Sequence, residues 1–143
     1  MSLSSGETSA SGADLMRQFL PTSPFVRHLG IQLVDLQPDS AVLSLPFSET
    51  LVTVGATVHG GAIASLIDTA AMVAAWSGAE VPASRRGVTV SITVTYLAGA
   101  EKEDLLAIAR VLRRGRSLVY LGVDVKTASQ VAVAKGLVTY KIG

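Results

Sequence analysis

The sequence predicts an α+β domain, with one antiparallel sheet that carries a single long helix on one face. Three observations predict it. Residues 62–76 form an apolar, alanine-rich run of good helix formers, too long for a strand. Val88 to Leu97 alternates with a period of two over a full strand length. From Val88 onward, four strand-like segments follow one another across short turns, and strands joined that way pair largely antiparallel.

Composition narrows the class further. A chain of 143 residues fits one compact domain. Hydrophobic residues make up 49% and charged residues 16%, far from a disordered composition. Aromatics are only 5%, so the core is built from Val, Ile, Leu and Ala, and a chain this apolar is expected to bury surface against another subunit. A formal net charge of +1 gives no case for nucleic acid, which needs a clustered basic face. The chain has no cysteine, which excludes disulfides, thiolate nucleophiles and Cys-ligated zinc. With His28 and His59 alone, a histidine-rich metal site within one chain is excluded too. The start shows no secretory signal, and no stretch has about 18 consecutive apolar residues. The expectation is a cytoplasmic protein without membrane contact.

The elements follow in order. Residues 1–12, "MSLSSGETSASG", read as a flexible tail ahead of a single domain over 13–143. A short amphipathic helix is expected from Ala13 to Leu20, stopping before Pro21. A second helical piece lies within "PTSPFVRHLG" and ends at Gly30. "IQLVDLQ" and "AVLSLPF" flank "PDS" as a hairpin. In the long strand, Val88, Val90, Ile92, Val94 and Tyr96 point one way, and Thr89, Ser91, Thr93 and Thr95 the other. "LLAIARVLR" and "LVYLGVDVK" are strands joined at "RRGR", and "ASQ" leads to a last strand, "VAVAKGLVTY".

The segment "TVHGGAIASLIDTAAMVAAW", residues 57–76, carries the chemistry. Gly60 and Gly61 sit at the first turn of the helix, where backbone N–H groups lack internal partners and the dipole is positive. Two readings are open there. The glycines either permit tight contact between helix and sheet, or let a carbonyl oxygen approach and be stabilised as it gains charge. Asp68 is the one acid in the helix. It is either a hydrogen-bonded structural acid or a reactive one. From Gly60 to Asp68 the axis advances about 12 Å, whereas reacting atoms must approach within about 3.5 Å. One chain cannot readily supply both groups to one carbon. Two copies with antiparallel helices could, each lending its N-terminus to the acid of the other.

The pattern G-x-x-x-H-G-G before a helix, with an acid seven residues after the second glycine, resembles the PaaI-type acyl-CoA thioesterases of the hotdog superfamily. "GVTVSITVTYLAGA" resembles the family's long strand, and "VLRRGRSLVYLGVDV" its basic hairpin. The resemblance runs from about Phe25 to Lys141. It implies a hotdog fold, a dimer with a continuous sheet, and frequent pairing of dimers into tetramers. It implies that Asp68 is the general base or nucleophile, that the Gly60 N–H polarises the carbonyl, and that His59 orients the loop. Thr89 matches a hydroxyl that helps place the attacking water. The family's asparagine six residues before the histidine is Thr53 here, and the sequence contains no asparagine at all.

A thioester suits such modest machinery, because its sulfur leaves without a dedicated acid. The substrate expected is a small or aryl acyl-CoA. Coenzyme A belongs to the substrate, and no separate cofactor or metal is expected. Arg110, Arg113, Arg114 and Arg116 crowd the "RRGR" turn, and arginine suits phosphate geometry. A solvated hairpin tip is the other reading of that cluster. By the resemblance the turn lies near the nucleotide end of CoA. Gly61, Val90 and Ser117 join Arg113, Arg114 and Arg116 as substrate-binding candidates, with Arg85 and Arg86 behind them. The alternative function is a non-hydrolytic protein of the same fold that binds acyl-CoA or an acyl carrier, which Thr53 favours.

Overall fold

The computed structural model of the chain describes residues 11–143. The expected tail therefore falls outside the described residues except for Ser11 and Gly12, the N-cap and the first residue of the first helix, α1 (Gly12–Phe19). Ser11 caps it. Its hydroxyl accepts from the Asp14 N–H at 3.1 Å, and the Asp14 carboxylate accepts from the Ser11 N–H at 3.4 Å. Gly12 packs so closely on the Trp76 carbonyl that no side chain fits between them. A 3-10 turn, Leu20–Thr22, leads into α2 (Pro24–Leu29), and Gly30 ends α2 at φ 78°.

The strands are β1 (Gln32–Gln37), β2 (Ser40–Leu45), β3 (Val52–Val54), β4 (Thr57–Val58), β5 (Gly87–Tyr96), β6 (Leu105–Arg114), β7 (Leu118–Thr127) and β8 (Ala132–Ile142). Six of them form one antiparallel sheet in the order β1-β2-β6-β7-β8-β5. The β1–β2 turn needs a left-handed residue, and Asp39 supplies it at φ 65°. β3 and β4 make a separate small hairpin, too short for period-two alternation to register.

The long helix is α3 (Gly60–Ser77), and it packs on β2, β6, β7, β8 and β5. Leu66, Ile67, Ala70, Ala71, Val73 and Ala74 are wholly buried against inward residues such as Leu43, Leu105 and Val123. Each fully buried Leu or Ile stabilises by roughly 1.5–3 kcal/mol. Gly136 of β8 lets the helix approach, since a Cβ there would stand 2.6 Å from Ile67 Cγ2. α3 is long and apolar enough to cross a membrane by length and composition, but 67% of it is buried, as befits a core helix.

β5 departs from the alternation read in the sequence. Its register steps from Thr89–Tyr140 to Ser91–Thr139, and Val90 is the extra residue of the bulge. Thr89 thus shares the helix side with buried Tyr140. Beyond the bulge, Val94 pairs with Gly136 and Tyr96 with Ala134, on the helix side as well. A bulge flips which alternate residues face inward, so Thr89, Val94 and Tyr96 all face the helix.

Candidate active site

His59 is the N-cap of α3, and its Nδ1 accepts the Gly61 N–H at 2.7 Å. That nitrogen is therefore unprotonated. Gly61 must be glycine for this contact, because a Cβ would stand 2.9 Å from Nδ1. The approach to the cap is fixed by the His59 N–H, which donates to the Leu51 carbonyl at 2.7 Å, and by the Val58 N–H, which donates to the Ala100 carbonyl at 2.9 Å. The His59 carbonyl accepts from Ala62 and Ile63 at 2.9 and 3.2 Å. The Gly60 N–H has no acceptor among the described residues. It is a free donor at the positive end of an 18-residue helix.

Two turns further on, Asp68 is half-buried on the helix flank that the sheet leaves partly open, with Ala64, Ser65 and Met72. The Thr89 hydroxyl donates to Asp68 Oδ1 at 2.6 Å. Asp68 Oδ2 has no protein partner among the described residues, so one carboxylate oxygen is anchored and the other is open. This pair, implied by the resemblance, is brought together by the β5 bulge.

Past Asp68, a cavity of about 250 Å³ is lined by Leu15, Met16, Phe19, Met72, Trp76 and Tyr140. Met72 and Trp76 follow Asp68 at the i+4 and i+8 positions of one helix face. Trp76 Nε1 donates to the Tyr140 hydroxyl at 3.0 Å. Burial pushes the Tyr140 phenol pKa above its ordinary value; the Trp76 hydrogen bond opposes that rise, and the nearby Asp68 carboxylate adds to it. Tyr140 therefore lies within electrostatic reach of Asp68 and stays a neutral wall.

The remaining candidates divide. Thr53 is exposed on β3, and its hydroxyl makes no hydrogen bond among the described residues. Val90, the bulge residue, stays 56% exposed. Arg114 is tied into the fold: its guanidinium pairs with Asp39 at 2.7 Å and donates to the Ala75 carbonyl at 2.9 Å. Its charge thus sits at the C-terminal turn of α3. Arg110 pairs with Asp124 at 3.5 Å. Arg113 and Arg116 are exposed and without an ion-pair partner among the described residues. Ser117 and Arg116 border a polar cavity of about 320 Å³, which Glu80 also lines. Arg85 lines the apolar cavity beyond Asp68, and Arg86 is exposed at the start of β5.

Sequence reasoning missed Tyr96 as a site residue. Its hydroxyl donates to the Gly60 carbonyl at 2.6 Å, which joins the end of β5 to the start of α3. Its place as the last inward residue of the long strand was the available signal.

Comparison with known proteins gives the same picture. Residues 55–134 match the thioesterase superfamily. Human acyl-coenzyme A thioesterase 13 is 32% identical over 125 residues, covering 83% of this chain and 85% of that one. The structure of zebrafish thioesterase superfamily member 2 superposes with a TM-score of 0.78 at 27% identity, covering 94% of this chain and 100% of that one. The Escherichia coli PaaI protein of the phenylacetic acid degradation operon superposes with a TM-score of 0.75, covering 90% of this chain and 94% of that one. At 20% identity, that likeness speaks to the fold alone. A long helix packed on a six-stranded antiparallel sheet agrees with these likenesses: the chain belongs to the thioesterase superfamily and is a thioester hydrolase of hotdog fold.

Proposed function

We propose that the protein is an acyl-CoA thioesterase acting on small or aryl acyl groups, with each active site shared between two copies of the chain. The observation that carries this is the unpartnered Gly60 N–H on the same helix as the half-open Asp68, about 12 Å apart along the axis. Neither group alone hydrolyses a thioester, and one copy cannot bring them together. The Gly60 N–H receives the carbonyl oxygen and stabilises the charge it gains. Asp68 of the other copy takes a proton from water as the water oxygen bonds to the carbonyl carbon, or attacks that carbon itself. In the first route the C–S bond breaks as the proton held by Asp68 passes to sulfur, releasing the free acid and CoA thiol. In the second, CoA leaves as thiolate and water then hydrolyses the acyl–Asp68 anhydride to the free acid, its released proton going to the thiolate. Thr89 holds Asp68 and orients the water, His59 fixes the loop, and Thr53 reaches the carbonyl through water.

Support for two copies comes from β5. It is an edge strand of 10 residues that exposes Val88, Val90 and Ile92 at 59%, 56% and 39%. Long apolar edges of this kind are ordinarily covered. Support for the acyl class comes from the apolar cavity of about 250 Å³ beyond Asp68, which suits a short or aromatic group and cannot hold a long extended chain. Arg113 and Arg116, on the turn beside the C-terminal end of α3, would meet CoA phosphates. The turn lies roughly 15 Å along the axis from Asp68, a span that an extended pantetheine arm can bridge.

Thiol release from a panel of short, aryl and long acyl-CoAs tests the reading. Short and aryl esters should turn over, and Asp68→Asn should lower kcat by roughly 10²–10⁴-fold with the fold intact. Binding of acyl-CoA without thiol release would sink the assignment of CoA esters as substrates.

A further inference from the structure

We infer that Tyr96 is a positioning residue of the oxyanion site, clamping with His59 the Gly60–Gly61 peptide plane, which adjoins the plane carrying the Gly60 N–H. The inference rests on the reading of Gly60 as the oxyanion donor. The Tyr96 hydroxyl donates to the Gly60 carbonyl at 2.6 Å. At the other end of the same peptide, the Gly61 N–H donates to His59 Nδ1 at 2.7 Å. Because a peptide unit is planar, one hydrogen bond at each end fixes the orientation of the whole plane. The preceding peptide is held at its His59 carbonyl by the Ala62 and Ile63 N–H groups. Both planes flanking the Gly60 Cα are thus restrained, and the direction of the free N–H follows from them.

Two consecutive glycines at a helix start would otherwise be the most mobile backbone in the element. A donor that wanders is a poor oxyanion site, since its value lies in being aimed before charge develops. The tyrosine ring also fits the glycine. A Cβ built on Gly60 would stand 3.3 Å from the Tyr96 Cζ and hydroxyl oxygen, so a side chain there would crowd the clamp. Tyr96 is 50% exposed, so burial does not force its hydroxyl to find this partner.

Tyr96→Phe keeps the ring and removes only the hydroxyl. Its kcat should fall roughly tenfold, short of the 10²–10³ seen when an oxyanion donor is deleted, with KM and the thermal midpoint unchanged. In a double-mutant cycle with His59→Ala, the losses should be less than additive, because a plane freed at one end gains little from a restraint at the other. Hydrogen exchange at the Gly61 amide should quicken in Tyr96→Phe, a readout independent of turnover. A full-rate Tyr96→Phe, a loss carried only by KM or the thermal midpoint, strictly additive losses, or unchanged exchange overturns the clamp. Asp68→Asn separates the two proposals. If it retains wild-type turnover, the mechanism fails, whatever Tyr96 does. If it is inactive while Tyr96→Phe runs at full rate, only the clamp fails.

Discussion

Thr53 stands where the resembled family carries an asparagine, and its surroundings show what such a change removes. It lies exposed on the hairpin that delivers the chain to His59, where Val52 pairs with Val58 next to the cap. In the proposed mechanism a threonine hydroxyl there, shorter than an amide, would reach the thioester carbonyl only through water. Thr53→Asn should therefore raise kcat by roughly tenfold or more, since one direct oxyanion donor is worth 10²–10³. Steady-state thiol release checks this, and an unchanged or lower rate removes Thr53 from the machinery. Other residues differ in how far the sequence reveals them. Asp68 is legible because an acid in an apolar helix demands a reason. Thr89 is legible only by resemblance: strict alternation sets it opposite Val94 and Tyr96, and the bulge that turns it to Asp68 has no marker in spacing. Tyr96 is harder still: its place at the end of the long strand is legible, but the bond from its hydroxyl to the backbone of a distant helix is not.

Between elements, the arginine-rich turn shows how one motif divides its labour. Arg114 and its neighbours look alike as a string of basic residues. In the fold, Arg114 faces the C-terminal end of α3, where it pairs with Asp39 and donates to the Ala75 carbonyl. It thus joins the β1–β2 turn, the β6–β7 turn and the helix end. Arg113 and Arg116 are exposed and make no ion pair among the described residues. Arg114→Ala should cost about 1 kcal/mol of stability, the scale of one charged donor at a helix C-terminus, and leave KM for acyl-CoA nearly unchanged. Arg113→Ala and Arg116→Ala should do the reverse, raising KM without moving the urea midpoint. A raised KM in Arg114→Ala at unchanged stability would return it to the phosphate contacts. The elements themselves were largely legible. α3 and β5 to β8 follow from hydrophobic period and turn residues, because each is long enough for the pattern to repeat. The β3–β4 hairpin was not, because strands of three and two residues carry no period.

Across the whole molecule, the proposed mechanism requires that Asp68 and Gly60 work in different copies, and this can be read without seeing the interface. In a symmetric pair, each of two sites takes its acid from one chain and its His59–Gly60 loop from the other. Asp68→Asn spoils both sites of its own dimer, and so does His59→Ala. A mixed dimer of the two variants gathers both lesions into one site and leaves the other intact. Random pairing of equal amounts makes half the dimers mixed, so co-expression should restore about a quarter of wild-type turnover per chain, from two nearly inactive parents. If a single copy supplied acid and donor together, every site would keep one lesion and mixing would restore nothing. Ile92→Lys puts a charge on the exposed β5 edge, and edge charges oppose strand pairing. Added to both variants, it should abolish the recovery, with sedimentation shifting toward monomer. Recovery that survives in monomeric protein would break the link between oligomer and chemistry, because no second copy would then be present to complete the site.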